Sequence, residues 1–160
     1  MIENTTFFQS LRDAGAPLQE ADVAAFEREL GVPLPADYRA FLLLRNGGRF
    51  NPHVEYPLPT EEYSDHMGLF HVYGLLRPPG ANTDLRHQLE VHDGRIPRGT
   101  LPIGDDGDNL LLIGLEGERR GKLYLWVRDD EMFKDAEDNR IPVADSFAEM
   151  AASARPYEAT

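Results

Sequence analysis

Along Leu123-Tyr-Leu-Trp-Val127 both alternating sets of side chains are large and apolar, Leu123, Leu125 and Val127 on one side and Tyr124 and Trp126 on the other. A strand turns alternate residues to opposite faces, so a strand of this kind belongs inside a sheet that is covered on both faces. Two β-rich segments precede it, Leu101-Pro-Ile103 and Asn109-Leu-Leu-Leu-Ile-Gly-Leu115, and Glu116 to Arg120 supplies a polar turn. Together they predict an antiparallel meander. Gly114 interrupts the second segment and predicts a bulge there, which leaves the sheet register open.

Helical spacing surrounds this sheet. Over Leu18–Gly31 the apolar residues Val23, Phe26 and Leu30 recur on one face, and Gly31 suits the left-handed residue that ends a helix. Pro33 and Pro35 then break the chain, and Pro35 fits the first position of a second helix carrying Tyr38, Phe41, Leu42 and Arg45, which Asn46-Gly47-Gly48 terminates. Leu69–Tyr73 reads as a strand stopping at Gly74, and Asp84–His92 as a short helix. Val143, Phe147, Met150 and Ala154 give a closing helix with Asp145 or Ser146 near its start. From Arg49 to Met67 three prolines among polar residues predict a long irregular excursion, a kind of loop that is often functional. The expectation is an α+β fold in one domain, residues 1–160: a mainly antiparallel sheet flanked by N-terminal helices and a C-terminal helix.

Charge narrows the partners. The chain carries 28 Asp+Glu against 16 Lys+Arg, a net charge of -12. Neutralising phosphates dominates nucleic-acid affinity, so such a chain is not expected to bind nucleic acid, and a basic partner suits it better. Tyr124 and Trp126 lack the basic surround of a base-stacking platform and read as core or interface. No apolar run exceeds Leu110–Leu115 in strength and the start MIENTTFFQS has no basic-then-apolar leader, so a cytoplasmic protein that does not enter a membrane is expected.

Catalytic motifs are absent from the sequence. No two of the 14 glycines are separated by a single residue, which excludes a G-x-G-x-x-G dinucleotide loop. Gly117-Glu-Arg-Arg-Gly121-Lys122 lacks the glycine spacing and the hydroxyl of a phosphate loop, and no G-x-S-x-G or H-E-x-x-H occurs. With no cysteine there is no thiolate nucleophile or thiolate zinc site. His53, His66, His71, His87 and His92 never fall at i, i+4, and Asp105-Asp-Gly-Asp108-Asn109 lacks the layout of a calcium loop and reads as a solvated turn. No catalytic residue, metal ligand or cofactor is expected. The paired acids Glu61-Glu62 and Asp129-Asp130-Glu131 read as solvated loop faces.

Several of these features recur in a fixed order, and in that order the chain resembles the SUKH superfamily, the Smi/Knr-like proteins. The block is Phe26-Glu27 with Leu30-Gly31, Leu34-Pro35-Ala-Asp37-Tyr38-Arg39-Ala-Phe41-Leu42, then Asn46-Gly47-Gly48. Tyr73-Gly74-Leu75, Leu101-Pro-Ile-Gly104 with Gly107-Asp108, Gly121 with Leu123-Tyr-Leu-Trp126, and Asp145-Ser-Phe147 follow. The resemblance runs from about Leu18 to Ala152 and implies an α+β fold. For bacterial members it implies immunity proteins that bind and neutralise polymorphic toxins, many of them nucleases; for eukaryotic relatives it implies regulatory modules in cell-wall synthesis. It defines no common contact surface.

The expected function is therefore a non-enzymatic immunity protein that occludes a toxin. An intracellular regulatory or scaffold module, and a small-molecule hydrolase or binder, stand as alternatives. If the partner is a basic toxin domain, Asp105, Asp106, Asp108, Asp129, Asp130 and Glu131 are the expected contact set, acting as phosphate mimics. The sequence leaves the oligomeric state open.

Overall fold

The computed structural model describes residues 2–59, 64–76, 80–128 and 140–157. Within them lie α1 (Thr6–Gln9), β1 (Leu11–Arg12), α2 (Glu20–Leu30), α3 (Ala36–Leu44), β2 (Gly48–Pro57), β3 (His66–Val72) and α4 (Leu85–Val91). They continue with β4 (Thr100–Asp105), β5 (Leu110–Gly114), β6 (Leu123–Trp126), β7 (Arg140–Ala144), α5 (Phe147–Ser153) and β8 (Arg155–Pro156). The strands form one antiparallel sheet in the order β1-β2-β3-β4-β5-β6-β7, and β8 also pairs with β2. This is the α+β arrangement that the sequence predicts.

Strand parity sorts the sheet into two faces. Leu69, Leu101, Ile103, Leu111, Ile113, Leu123, Leu125 and Ile141 share a core with Phe7, Val23, Phe26, Tyr38, Phe41, Leu42, Phe147 and Met150 from the helices. Phe7, Phe41 and Phe147 meet with ring centroids 5.0–5.6 Å apart. Such pairs add about 0.5–1.5 kcal/mol each beyond the burial itself. Leu110, Leu112, Tyr124 and Trp126 point the other way and form a second, smaller cluster against Ile96. β6 is buried on both faces.

Motif residues tie the helices together. The Arg39 Nε donates to Glu27 at 3.1 Å and its Nη1 to Glu20 at 2.6 Å, joining α3 to α2, while Glu27 also accepts the Leu34 N–H at 2.7 Å. Asp37 accepts the Ala148 N–H at 2.9 Å and so caps the first turn of α5, beside Ser146, whose hydroxyl accepts from the Glu149 N–H. Gly31 ends α2 with φ 79°, as its place in the sequence requires. Pro35 stands just ahead of α3 as its N-cap rather than inside it.

Two expectations need correction. Arg49–Met67 is not an irregular excursion: β2 runs from Gly48 to Pro57 and β3 begins at His66. Its prolines are tolerated because Pro52 falls where the β2–β3 register breaks, between Arg49 and Val54, and Pro57 is the last strand residue. Of that stretch, residues 60–63 lie outside the described residues. Gly114 marks no bulge either, since the register shift of β4 against β5 lies between Pro102 and Gly104. It is glycine because a Cβ there would fall on the Arg119 carbonyl oxygen.

Candidate functional site

The turn from Asp105 to Asn109, which joins β4 to β5, is built by its own carboxylates. Asp105 Oδ1 accepts the Gly107 N–H at 2.9 Å, and Asp106 Oδ1 accepts those of Asp108 and Asn109 at 2.9 and 2.6 Å. Short polar side chains that bond the backbone a few residues on stabilise such turns, which is why an aspartate-rich sequence folds this way locally. Asp105 is held further: its Oδ2 accepts the Tyr73 hydroxyl at 2.7 Å and its Oδ1 lies 3.1 Å from His71 Nδ1. Burial first, and then the Asp105 charge, raise the Tyr73 hydroxyl above the ordinary tyrosine value, so it keeps its proton and its role as donor.

The turn is a ridge between two clefts, and Asp108 lines both. The larger cleft, about 480 Å³, opens between the turn and α4 and is lined by His71, Tyr73, His87, His92, Asp105 and Arg128 among others. His92 is 3 % exposed. Its Nδ1 lies 2.9 Å from the Gln88 carbonyl and its Nε2 lies 2.9 Å from Arg128 Nη2. A carbonyl can only accept, so Nδ1 carries the proton and Nε2 accepts from the guanidinium, which leaves the ring neutral. Burial lowers the His92 pKa below the ordinary 6.5, and Arg128 and Arg95 act in the same direction, against the Gln88 carbonyl. A His–Asp pair such as His71–Asp105 can orient an imidazole for proton exchange. Here Asp105 also takes two other donors, and so it clamps the turn to β3.

The smaller cleft, about 280 Å³, lies on the other side of the ridge and is lined by Met67, Phe70, Leu125, Tyr157, Asp106 and Asp108 among others. His53 stacks on Phe70 at 3.8 Å and Tyr157 meets Phe70 edge-on at 6.0 Å. Tyr157 is one of the large apolar side chains that remain exposed. Nothing in the sequence marks Phe70, His53 and Tyr157 as neighbours, because they come from β3, the irregular part of β2 and the residue after β8.

The sequence-predicted contact set divides three ways. Asp106 and Asp108 sit together on the ridge, Asp106 lining the smaller cleft and Asp108 lining both. Asp105 sits on the same turn but is half-buried and committed to His71 and Tyr73. Asp129, Asp130 and Glu131 lie outside the described residues. Among the described residues no group of three or more His, Asp or Glu is arranged to hold a metal ion, and no helix is long and apolar enough to cross a membrane. Tyr124 and Trp126 are core: Arg140 lies over the Tyr124 ring at 4.9 Å, and His92 meets Trp126 edge-on.

No curated protein matches the chain at a significant level. The family model of the SMI1 / KNR4 family (SUKH-1) matches residues 17–153, a span that takes in the α2–α3 block, the aspartate ridge and α5. The resemblance carried by Leu34-Pro35-Ala-Asp37-Tyr38 and its downstream companions thus holds over most of the chain, and the chain belongs to the SMI1 / KNR4 family (SUKH-1).

Proposed function

We propose that this protein is a bacterial-type immunity protein that binds a cognate polymorphic toxin and neutralises it by steric and electrostatic occlusion, with no catalysis of its own. The reading is supported by family membership and by one surface observation: exposed Asp108 and half-buried Asp106 on the ridge stand beside exposed Tyr157 and half-buried Phe70, on a chain of net charge -12. Aromatic anchors supply most of the affinity of a protein interface, and complementary charge mainly accelerates the encounter. A basic nuclease domain is the toxin that best suits the ridge, with Asp106 and Asp108, joined by Asp129, Asp130 and Glu131, in the place of substrate phosphates. Asp105 serves this reading by holding the turn rather than by touching the partner.

The test is stopped-flow association with a candidate basic toxin domain from the same organism, over a range of ionic strength, together with inhibition of that toxin. Steering predicts a rate that falls steeply with salt, and by about tenfold or more on reversing Asp106 and Asp108 to lysine. A rate indifferent to both would remove the electrostatic part, and absence of inhibition would remove the immunity reading. Recovery of several unrelated partners from native cells would instead favour a regulatory or scaffold module. A small-molecule binder is the reading that the 480 Å³ cleft with His71 and Asp105 favours, since ligand pockets run from about 300 to 1,000 Å³. A metabolite that shifts the melting temperature in the wild type but not in a His71→Ala variant would establish it.

A further inference from the structure

β3 pairs with β2 along His66–Leu69 and again at His71 and Val72, but it meets β4 only at His71 and Val72. β3 therefore parts from β4 at Phe70, and the smaller cleft lies beside this stretch of β3, between it, the Asp106–Asp108 turn and Tyr157, with buried Met67 and Leu125 in its lining. One side is aromatic. Tyr157 packs against Gly68, where an added Cβ would come within 3.2 Å of the ring. The other side is acidic: Gly107 lies near Phe70, since an added Cβ would sit 3.4 Å from the ring, and the flanking Asp106 and Asp108 line the same cleft as Phe70.

The carboxylates keep capacity to accept. Asp106 spends Oδ1 on two backbone N–H groups, while among the described residues its Oδ2 takes only the Asn109 amide at 3.3 Å. Asp108 makes no side-chain hydrogen bond or ion pair among the described residues, and it is exposed. At about 280 Å³ the space is below the usual range for small-molecule pockets and is of the order that one long side chain fills. An apolar, aromatic approach that ends between two carboxylates fits a side chain with a long methylene stem and a cationic head. Arginine fits better than lysine, because its planar guanidinium stacks on aromatic rings and its fork of donors can serve two carboxylates at once.

We propose that this cleft seats an arginine side chain projected by the protein partner, its stem along Tyr157 and Met67 and its guanidinium between the Asp106 and Asp108 carboxylates. The proposal deepens the partner-binding reading above and rests on it for the identity of the partner alone.

The experiment is an NMR titration of the full chain with N-acetyl-arginine methylamide, beside the lysine and norleucine analogues. The result expected is saturable amide shifts centred on Gly68, Phe70, Gly107 and Asp108, with a Kd on the order of 1 mM. Asp108→Asn, which removes an exposed charge without an internal partner, should weaken binding about fivefold, and Tyr157→Ala should weaken it while the melting temperature holds. Equal binding of the norleucine analogue, tighter binding of the lysine analogue, or shifts scattered over the surface would each overturn the assignment. The two readings fail separately. A saturable arginine site on a protein that inhibits no toxin leaves the cleft standing and removes the immunity role, whereas toxin inhibition with an unresponsive cleft does the reverse.

Discussion

Asn46 and Leu75 are locked by a reciprocal pair of hydrogen bonds: the Leu75 N–H donates to Asn46 Oδ1 at 2.8 Å, and Asn46 Nδ2 donates back to the Leu75 carbonyl at 2.9 Å. Asn46 Nδ2 also reaches the Ala16 carbonyl at 2.9 Å, and the residue is 3 % exposed. One buried amide thus pins the segment before α2, the end of α3 and the segment after β3 to each other. Asn46→Ala would leave those backbone groups buried and unpaired, at about 1–3 kcal/mol for each one that water cannot reach. Urea unfolding should show a clearly lower midpoint with an unchanged slope; a shift below about 0.5 kcal/mol would mean that water replaces the amide.

The Tyr38 ring is wholly buried beside Phe41 and Phe147, and its hydroxyl has no hydrogen-bond partner among the described residues. Burial raises its pKa far above the ordinary value. A hydroxyl in that position costs stability, so Tyr38→Phe should leave the melting temperature unchanged or raise it. A marked fall would reveal a partner for the oxygen.

Phe147 sits at the meeting point of Phe7, Tyr38 and Phe41, and it starts α5 directly after the Ser146 cap. Phe147→Ala removes a ring at the junction of three helices. A loss of about 3–5 kcal/mol is expected by denaturant unfolding.

His92 links stability to pH. Its folded pKa lies below 6.5, so the unfolded chain takes up the proton more readily than the folded one. The stability it contributes is complete above the unfolded value and is lost as pH falls from 6.5 toward the folded value. Unfolding midpoints of the wild type should drop over that window, and a His92→Gln variant, whose amide oxygen can still accept from Arg128, should show a shallower decline. Identical pH profiles would place the sensitivity elsewhere.

Asp105 and Asp108 stand on one turn and should behave oppositely. Asp105→Asn disturbs the acceptor shared by His71, Tyr73 and the Gly107 N–H, and is expected to cost about 1–3 kcal/mol of stability. Asp108→Asn should change stability by less than about 0.5 kcal/mol and act on partner association alone. Unfolding curves for the two variants, set beside their association rates, check the division.

Much of the architecture was legible in the sequence. The two apolar sets of Leu123–Val127 announced a strand buried on both faces, Gly31 and the Asp145-Ser146 pair marked helix ends, of which the structure picks Ser146, and the order of motifs from Phe26 to Phe147 pointed to the family that the chain proves to join. The prolines at 52 and 57 misled, because a proline rule is local while a break in register is a property of two strands together.

What the sequence determined, then, was periodicity, caps and turns, the quantities set by neighbours within a few residues. Its acids were visible as a cluster, but their division of labour was not. Only the folded chain decided that Asp105 turns inward to His71 and Tyr73 while Asp108 stays exposed, and that Phe70, His53 and Tyr157 converge beside the ridge. Those choices depend on strand pairing across residues far apart in the chain, where β3 leaves β4 at Phe70 and β8 returns to β2.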